Sequence, residues 1–146
     1  MCIEKTPWEQ VIEFHGHTCP GIALGYRLAQ IANRELGISA TLDSGISVTA
    51  YTHSCALDAF QIINRATYGR KNLLVEEKKL HVYHFQNVDM SKKILITVHS
   101  EILEQIADAD EPLSPREIQT KNLDAIRIIL GVEESSFCKI QNVQIT

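Results

Sequence analysis

The chain has 146 residues, of which 45% are hydrophobic and 22% are charged, and its formal net charge is −4. This length suits one ordinary domain covering residues 1–146, and the composition is typical of a folded globular protein rather than a disordered chain. A mildly acidic chain lacks the basic patch that nucleic acids and anionic membranes attract, so we expect neither as a partner.

The start of the chain indicates where the protein works. Residues 1–5 contain no basic region followed by an apolar stretch, and no apolar run is long enough to cross a bilayer. We therefore expect a cytoplasmic protein whose thiols are kept reduced. The four cysteines are widely spaced and include no Cys-x-x-Cys pair, which suits isolated thiols or ligands from distant segments better than a disulfide framework.

Two helices are predicted in the first quarter of the chain. Thr6 can cap a helix that has Pro7 at its first position, and this helix should end near Phe14. Pro20 opens a second helix in the same way. Apolar residues at helical spacing give that helix a broad buried face, and Gly37 ends it.

Strands and further helices follow. Residues 46–50 alternate and are rich in β-branched side chains, which predicts a strand. Ser54 should cap a third helix that runs to about Tyr68 and is ended by Gly69. Three more strands are predicted over residues 80–85, 94–99 and 137–145.

The remaining helix has the clearest start signal. Ser114, Pro115 and Glu117 form a capping box with proline at the first helical position, and the helix should end at Gly131. Helices are grouped towards the ends of the chain and strands between them, without βαβ alternation. This order favours an α+β fold in which an antiparallel or mixed sheet packs against helices.

His15, His17 and Cys19 are metal-competent side chains spaced two residues apart. In an extended segment such residues point to the same side, so both imidazoles and the thiol can face one ion. Cys19 directly precedes Pro20, so it lies at a helix start, where unpaired N–H groups favour the thiolate that binds metal. Nitrogen and sulfur donors suit zinc, nickel, copper or iron.

Cys55 also lies at a predicted helix start, just after Ser54. If the two helix starts converge, Cys55 would complete a site with the His-x-His-x-Cys segment. Asp58 lies one turn into the same helix and could act as a ligand or as the acceptor that fixes a histidine tautomer. His53 and Tyr26 are further candidates for supporting a ligand or for proton transfer.

Each of these residues has a simpler structural interpretation when it is taken alone. A single histidine in a turn is often solvated, and a single buried cysteine usually packs as a small hydrophobe. The combination of His-x-His-x-Cys ahead of a helix is what favours function. Arg70 and Lys71 beside Gly69 can hold an anion, although an exposed connection is the simpler explanation for them.

Three segments carry a resemblance to a known family: FHGHTCPG at 14–21 with ALGYR at 23–27, SCALDAFQ at 54–61 and TYGRKNL at 67–73. Together they resemble the E-subunit family of formylmethanofuran dehydrogenase. The resemblance implies an α+β core, a homodimer, and a metal in a cleft lined by the His/Cys motif. In methanogens the family name refers to a molybdenum or tungsten complex that reduces carbon dioxide onto methanofuran, so a larger oxidoreductase complex is a second possible partner.

The chain departs from the family pattern in three places. Ala66 stands where the family commonly has a cysteine in a Thr-Gly-Cys-Thr block, and Lys71 replaces a glycine. Chemistry that needs that cysteine is therefore in doubt. Longer members add a C-terminal cysteine-rich zinc finger that the present sequence does not contain, so a second structural zinc is not expected.

Three functions remain open at this point. The first is a metal-binding accessory protein of one-carbon or redox metabolism that holds one transition metal, with zinc as first choice and nickel or iron as alternatives. The second is a metal-dependent enzyme on a small carbonyl or one-carbon substrate, in which zinc polarises a carbonyl or activates water. The third is a thiol-redox protein that uses Cys19 and Cys55, provided that their sulfurs come within disulfide reach.

Overall fold

A computed structural model of the protein describes residues 5–37, 46–87, 92–107 and 112–143. The helices in these ranges are α1 Pro7–His15, α2 Pro20–Leu36, α3 Ala56–Ile63, α4 Ser100–Ile106, α5 Pro115–Gly131 and α6 Glu134–Phe137. The strands are β1 Ile46–Ala50, β2 Leu73–Val75, β3 Val82–Asn87, β4 Lys92–Val98 and β5 Cys138–Val143. Within the same ranges, no helix combines the length and apolar character needed to cross a membrane.

The strands form one five-stranded mixed sheet in the order β2-β1-β3-β4-β5. β2 pairs in parallel with β1, with Val48 opposite Leu73, and the other three pairings are antiparallel. Helices pack against this sheet, so the predicted α+β class is confirmed.

The sheet buries alternate residues of its central strands, as strand geometry requires. Every second residue of β1, β3 and β4 is buried, among them Tyr83, Phe85 and Ile96. Helix α2 packs on β3 and β4 and is itself buried along most of its length. The hydrophobic core therefore lies between the sheet and α2, and α2 is a fixed platform for the segments that precede and contact it.

The capping signals place three helix starts correctly. The Thr6 hydroxyl accepts a hydrogen bond from the Glu9 N–H at 3.2 Å, and the Ser114 hydroxyl accepts one from the Glu117 N–H at 3.2 Å. Pro20 is the first residue of α2, and Gly37, in the left-handed region with φ 68°, is its C-cap. These starts are readable from sequence because each is made by residues within four positions of one another.

The predicted end of the third helix is wrong. α3 ends at Ile63 rather than near Tyr68, and Gly69 does not end it. Arg65 takes the left-handed conformation with φ 58°, and the Ala66 N–H donates to the Phe60 carbonyl at 3.3 Å. This is the hydrogen-bond pattern that usually ends a helix at glycine. Because an arginine occupies the position here, the sequence carries no glycine signal at the true end.

Other boundaries differ from the predicted ones, and three elements were not predicted. β3, β4 and β5 overlap the predicted strands but are shifted by one or two residues at their ends, and residues 144 and 145 of the last prediction lie outside the described residues. β2, α4 and α6 have three, seven and four residues and were missed. Elements this short contain too few residues to show a hydrophobic period.

Helices α2 and α3 touch backbone to backbone at Gly25. A Cβ at Gly25 would lie 2.4 Å from the Ala56 Cα and 2.6 Å from the Ala56 carbonyl oxygen, both far inside van der Waals contact. Ala56 is the first residue of α3. Only glycine allows the start of α3 to approach α2 this closely.

We expect Gly25→Ala to lower the free energy of unfolding by about 1–3 kcal/mol or more, because the added methyl group meets backbone that cannot rotate away. Gly131→Ala is the matched control, since nothing lies within 4 Å of a Cβ built at Gly131. That variant should be neutral or slightly stabilising, because alanine is the better helix former. Urea unfolding followed by circular dichroism measures both variants, and equal stability of the two would contradict the close approach.

Candidate metal centre

The His-x-His-x-Cys segment connects the end of α1 to the start of α2. His15 is the last residue of α1, and Gly16 follows it as C-cap with φ 98°, a conformation that favours glycine. Cys19 is the N-cap of α2 in an extended conformation, with φ −148° and ψ 162°. The chain therefore leaves one helix and enters the next within a few residues, and the segment is held at both ends.

The second cysteine arrives from the start of α3. Cys55 is the N-cap of that helix, and the Ser54 hydroxyl accepts a hydrogen bond from the Ala56 N–H at 3.2 Å. A Cβ placed at Gly21 would lie 3.5 Å from the Cys55 Sγ and 3.9 Å from the Cys19 Sγ. The two sulfurs therefore lie on the same side of α2 at Gly21, and the two helix starts converge.

Three potential ligand atoms, one each from His15, His17 and Cys19, all lie within 4.8 Å of one another. The His15 Nε2 is 3.6 Å from the Cys19 Sγ, and the two imidazole rings lie 4.5 Å apart at their centroids. His15 and Cys19 are partly buried, whereas His17 is exposed. Two imidazole nitrogens and a thiol at these separations match the donor types of transition-metal sites.

Asp58 makes the contact with a histidine that the sequence suggested. Its Oδ2 lies 2.7 Å from the His15 Nδ1, and its Oδ1 accepts a hydrogen bond from the Gln61 side-chain amide at 3.2 Å. A carboxylate on one ring nitrogen fixes the proton there and leaves the other nitrogen free to accept. The free nitrogen is the Nε2 that faces Cys19.

Cys55 is held in its protonated form in the absence of metal. Burial, and then the neighbouring Cys19 and Asp58, raise the pKa of the Cys55 thiol to about 11. The interaction with Cys19 is direct and includes a hydrogen bond between the two thiols. Cys55 therefore loses a proton if it joins Cys19 on a metal.

A cleft of about 570 Å³ opens beside the two thiols. Its described lining residues come from both helix starts and from segments later in the chain: Cys19, Pro20, Gly21, Ser54, Cys55, His81, Gln105, Ile106, Ala107, Leu113, Ile118, Lys121 and Asn122. His15 and His17 are not among these described lining residues. The cleft thus reaches the cluster from its sulfur side.

His81 and Lys121 were not singled out by the sequence. The His81 Nδ1 lies 3.0 Å from the Tyr83 hydroxyl, and burial lowers the pKa of His81, an effect that Glu77 partly opposes. Burial also raises the pKa of Tyr83 to about 12, and a hydrogen bond with Ser54 opposes that rise. No local pattern marks His81, because its position in the cleft depends on the sheet and not on its neighbours in the chain.

Two other candidates for supporting a ligand or for proton transfer lie elsewhere. His53 is exposed, with its Nδ1 3.9 Å from the Glu77 Oε1. The Tyr26 ring packs on the Trp8 ring, with their centroids 5.0 Å apart. Neither His53 nor Tyr26 belongs to the described residues that line the cleft.

The glycine turn and the replaced family cysteine also lie outside the described cleft lining. The Arg70 guanidinium donates to the Arg65 carbonyl at 3.2 Å, and Lys71 occupies the turn with φ 61°. These contacts fit the exposed connection better than an anion site. Ala66 is fully buried and packs in the hydrophobic core.

Comparison with known proteins agrees with this arrangement. The family model described as "FmdE, Molybdenum formylmethanofuran dehydrogenase operon" matches residues 14–139. A probable S-adenosyl-L-methionine-binding protein of Archaeoglobus fulgidus is 35% identical over 66 residues, which cover 42% of this chain. The chain spans only 18% of the length of that curated relative.

A solved structure shares the fold. The crystal structure of an FmdE-like protein of tungsten formylmethanofuran dehydrogenase from Syntrophus aciditrophicus has a TM-score of 0.65 and 18% identity, and the match covers 95% of this chain and 73% of that one. A mixed sheet with a His-x-His-x-Cys segment between its first two helices thus defines an FmdE-like class. This chain belongs to the FmdE family, and the resemblance seen in the sequence is confirmed.

The contact between Asp58 and His15 predicts a defined tautomer. In metal-free protein, at a pH where His15 is neutral, we expect its proton on Nδ1, because the carboxylate lies 2.7 Å away. Asp58→Ala should remove this preference. Long-range ¹H–¹⁵N correlation spectra measure the tautomer, and the exposed His53 is the internal control that should not change. A proton on the Nε2 of His15 in the unmodified chain would contradict the prediction.

Proposed function

We propose that this chain binds one transition-metal ion through His15, His17, Cys19 and Cys55 and acts as a metal-binding accessory protein of one-carbon or redox metabolism. The observation that carries the proposal is the convergence of three ligand atoms within 4.8 Å, with a second cysteine beside them. Histidines and cysteines have no general reason to meet at two helix starts. Two imidazoles and two thiolates form a common zinc ligand set, and nickel and iron accept the same donors.

Each residue has a separate task in this proposal. His15 would bind through Nε2, with Asp58 on Nδ1 to orient the ring and increase its basicity. Cys19, at the start of α2, would bind as the thiolate that the helix N-terminus favours. Cys55 would follow after losing its proton. A bound ion of this kind supplies Lewis acidity at the sulfur side of the cleft.

The setting of this function is also part of the proposal. Free thiols at a metal site are kept reduced in the cytoplasm, which is where we place the protein. We further propose a homodimer, because α5 exposes apolar side chains such as Leu123 and Ile128. The family description refers to a formylmethanofuran dehydrogenase operon, which supports association with a larger oxidoreductase complex linked to methanogenesis.

Metal analysis tests the proposal. Protein purified without an affinity tag or added metal should contain close to one ion per chain, and Cys19→Ser should strongly reduce this content because one of the clustered donors is lost. His17→Ala combined with Cys19→Ser should abolish it. Inductively coupled plasma mass spectrometry measures the stoichiometry.

Two variants serve as matched controls for this measurement. Cys138→Ala removes a buried thiol of β5, and His53→Ala removes an exposed histidine paired with Glu77. Both should keep the full metal content. Stoichiometric metal in the double variant would overturn the proposed site.

The cleft favours a second function, a metal-dependent enzyme on a small carbonyl or one-carbon substrate. A cavity that reaches the sulfur side gives a ligand access to the metal, which a closed storage site does not need. The two functions differ in coordination. Three protein ligands with a fourth position open to the cleft indicate an enzyme, whereas four protein ligands indicate an accessory or structural role.

Alkylation separates metal binding from thiol-redox chemistry. We expect zinc to protect Cys19 and Cys55 from iodoacetamide and a chelator to restore their reaction, because thiolates bound to metal are poor nucleophiles. Cys138 is buried and serves as the internal control with the same slow reaction in both states. Mass spectrometry of the digested protein measures each site. A disulfide between Cys19 and Cys55, formed equally with or without metal, would favour the redox function instead.

A further inference from the structure

The cleft beside Cys19 and Cys55 carries charge of one sign. Among its described lining residues Lys121 is a cation and none is a carboxylate. The Lys121 ammonium donates a hydrogen bond to the Ala107 carbonyl at 2.7 Å, which holds it at the cleft. An ammonium has three donors, so Lys121 retains hydrogen-bonding capacity for a bound anion.

Neutral polar groups accompany this cation. The amide side chains of Gln105 and Asn122 line the same cleft, and Asn122 is the residue next to Lys121. His81, whose pKa is lowered by burial, adds an uncharged imidazole at neutral pH. A cation with neutral hydrogen-bonding partners and no carboxylate among the described lining residues selects anions over cations.

The rest of the wall is apolar. Ile106, Leu113 and Ile118 line the cleft together with the polar group at Lys121 and the helix starts that carry the thiols. A volume of about 570 Å³ lies within the range of small-molecule sites, and it is too small for a folded partner. Removing apolar surface of a ligand from water against these side chains favours binding.

We propose that this cleft binds a small organic acid, with its anionic group on Lys121 and Asn122 and its apolar body against Ile106, Leu113 and Ile118. The far end of such a molecule points towards Cys19 and Cys55. The inference deepens the proposed function and rests on it in one respect, namely that the metal at the thiols is what the far end meets. The recognition of the anion itself depends only on the cleft.

Three six-carbon probes test the anionic group: hexanoate, hexyl phosphate and 1-hexanol. Isothermal titration calorimetry on the full zinc-loaded chain should show hexanoate or hexyl phosphate binding about tenfold more tightly than 1-hexanol. This ratio corresponds to about 1.4 kcal/mol. The tighter of the two anions identifies a carboxylate or a phosphate as the preferred group. Equal affinity for all three probes would overturn the proposal.

Variants of Lys121 locate the site. Lys121→Met keeps an unbranched side chain without the charge and should weaken the preferred anion about tenfold, while leaving 1-hexanol unchanged. Lys121→Arg should restore most of the affinity. Lys78→Met is the matched control, because Lys78 contacts Tyr51 and Glu76 and is not a described lining residue of the cleft. An unchanged anion affinity in a folded Lys121→Met variant would also overturn the proposal.

Repeating the titration with metal-free protein separates this inference from the metal site. Anion binding that depends on Lys121 should persist after chelation, because Lys121 is not a proposed metal ligand. If the chain binds anions in this way but holds no metal, the metal proposal fails and the cleft assignment stands. If it holds metal but shows no preference for the anions, the reverse is true.

Discussion

The arrangement of this protein depends on the contact between α2 and the start of α3. Gly21 and Gly25 lie one turn apart on the same face of α2. A Cβ at Gly25 would meet the Ala56 backbone at 2.4 Å, and one at Gly21 would meet the Cys55 Cβ at 3.1 Å. Two side chains reduced to hydrogen thus let α3 begin directly against α2. Because Cys19 and Cys55 are the N-caps of these helices, the same contact brings the two thiols together.

This contact also explains why Asp58 reaches His15. Asp58 lies in the first turn of α3, three residues after Cys55, so fixing the start of α3 fixes both the thiol and the carboxylate. His15 approaches from the other direction, at the end of α1, which packs on α3. The His15 ring therefore lies between a carboxylate on Nδ1 and a thiol on the Nε2 side. One rigid helix start places a candidate ligand and the group that orients another.

The site and the cleft draw on different halves of the chain. The ligand cluster comes from α1, α2 and α3, whereas Ile106, Leu113, Ile118 and Lys121 of the cleft wall come from α4, α5 and the segment between them. The motifs that mark the family lie in the first half. A metal site on one set of helices can thus be combined with a wall from another, which is how one fold accommodates different ligands. The charge of Lys121 belongs to this wall and not to the family motif.

The sequence by itself determined the features that short segments control. The starts of α1, α2 and α5, the α+β class and the spacing of His15, His17 and Cys19 all follow from residues close together in the chain. The tertiary structure alone decided the end of α3, the meeting of Cys55 with Cys19, and the places of His81 and Lys121 in the cleft. The end of α3 is formed by an arginine in a conformation that local propensity disfavours, so packing and not the local residue selects it. The other contacts join segments tens of residues apart, and they depend on how helices and strands pack, which local periodicity and capping do not encode.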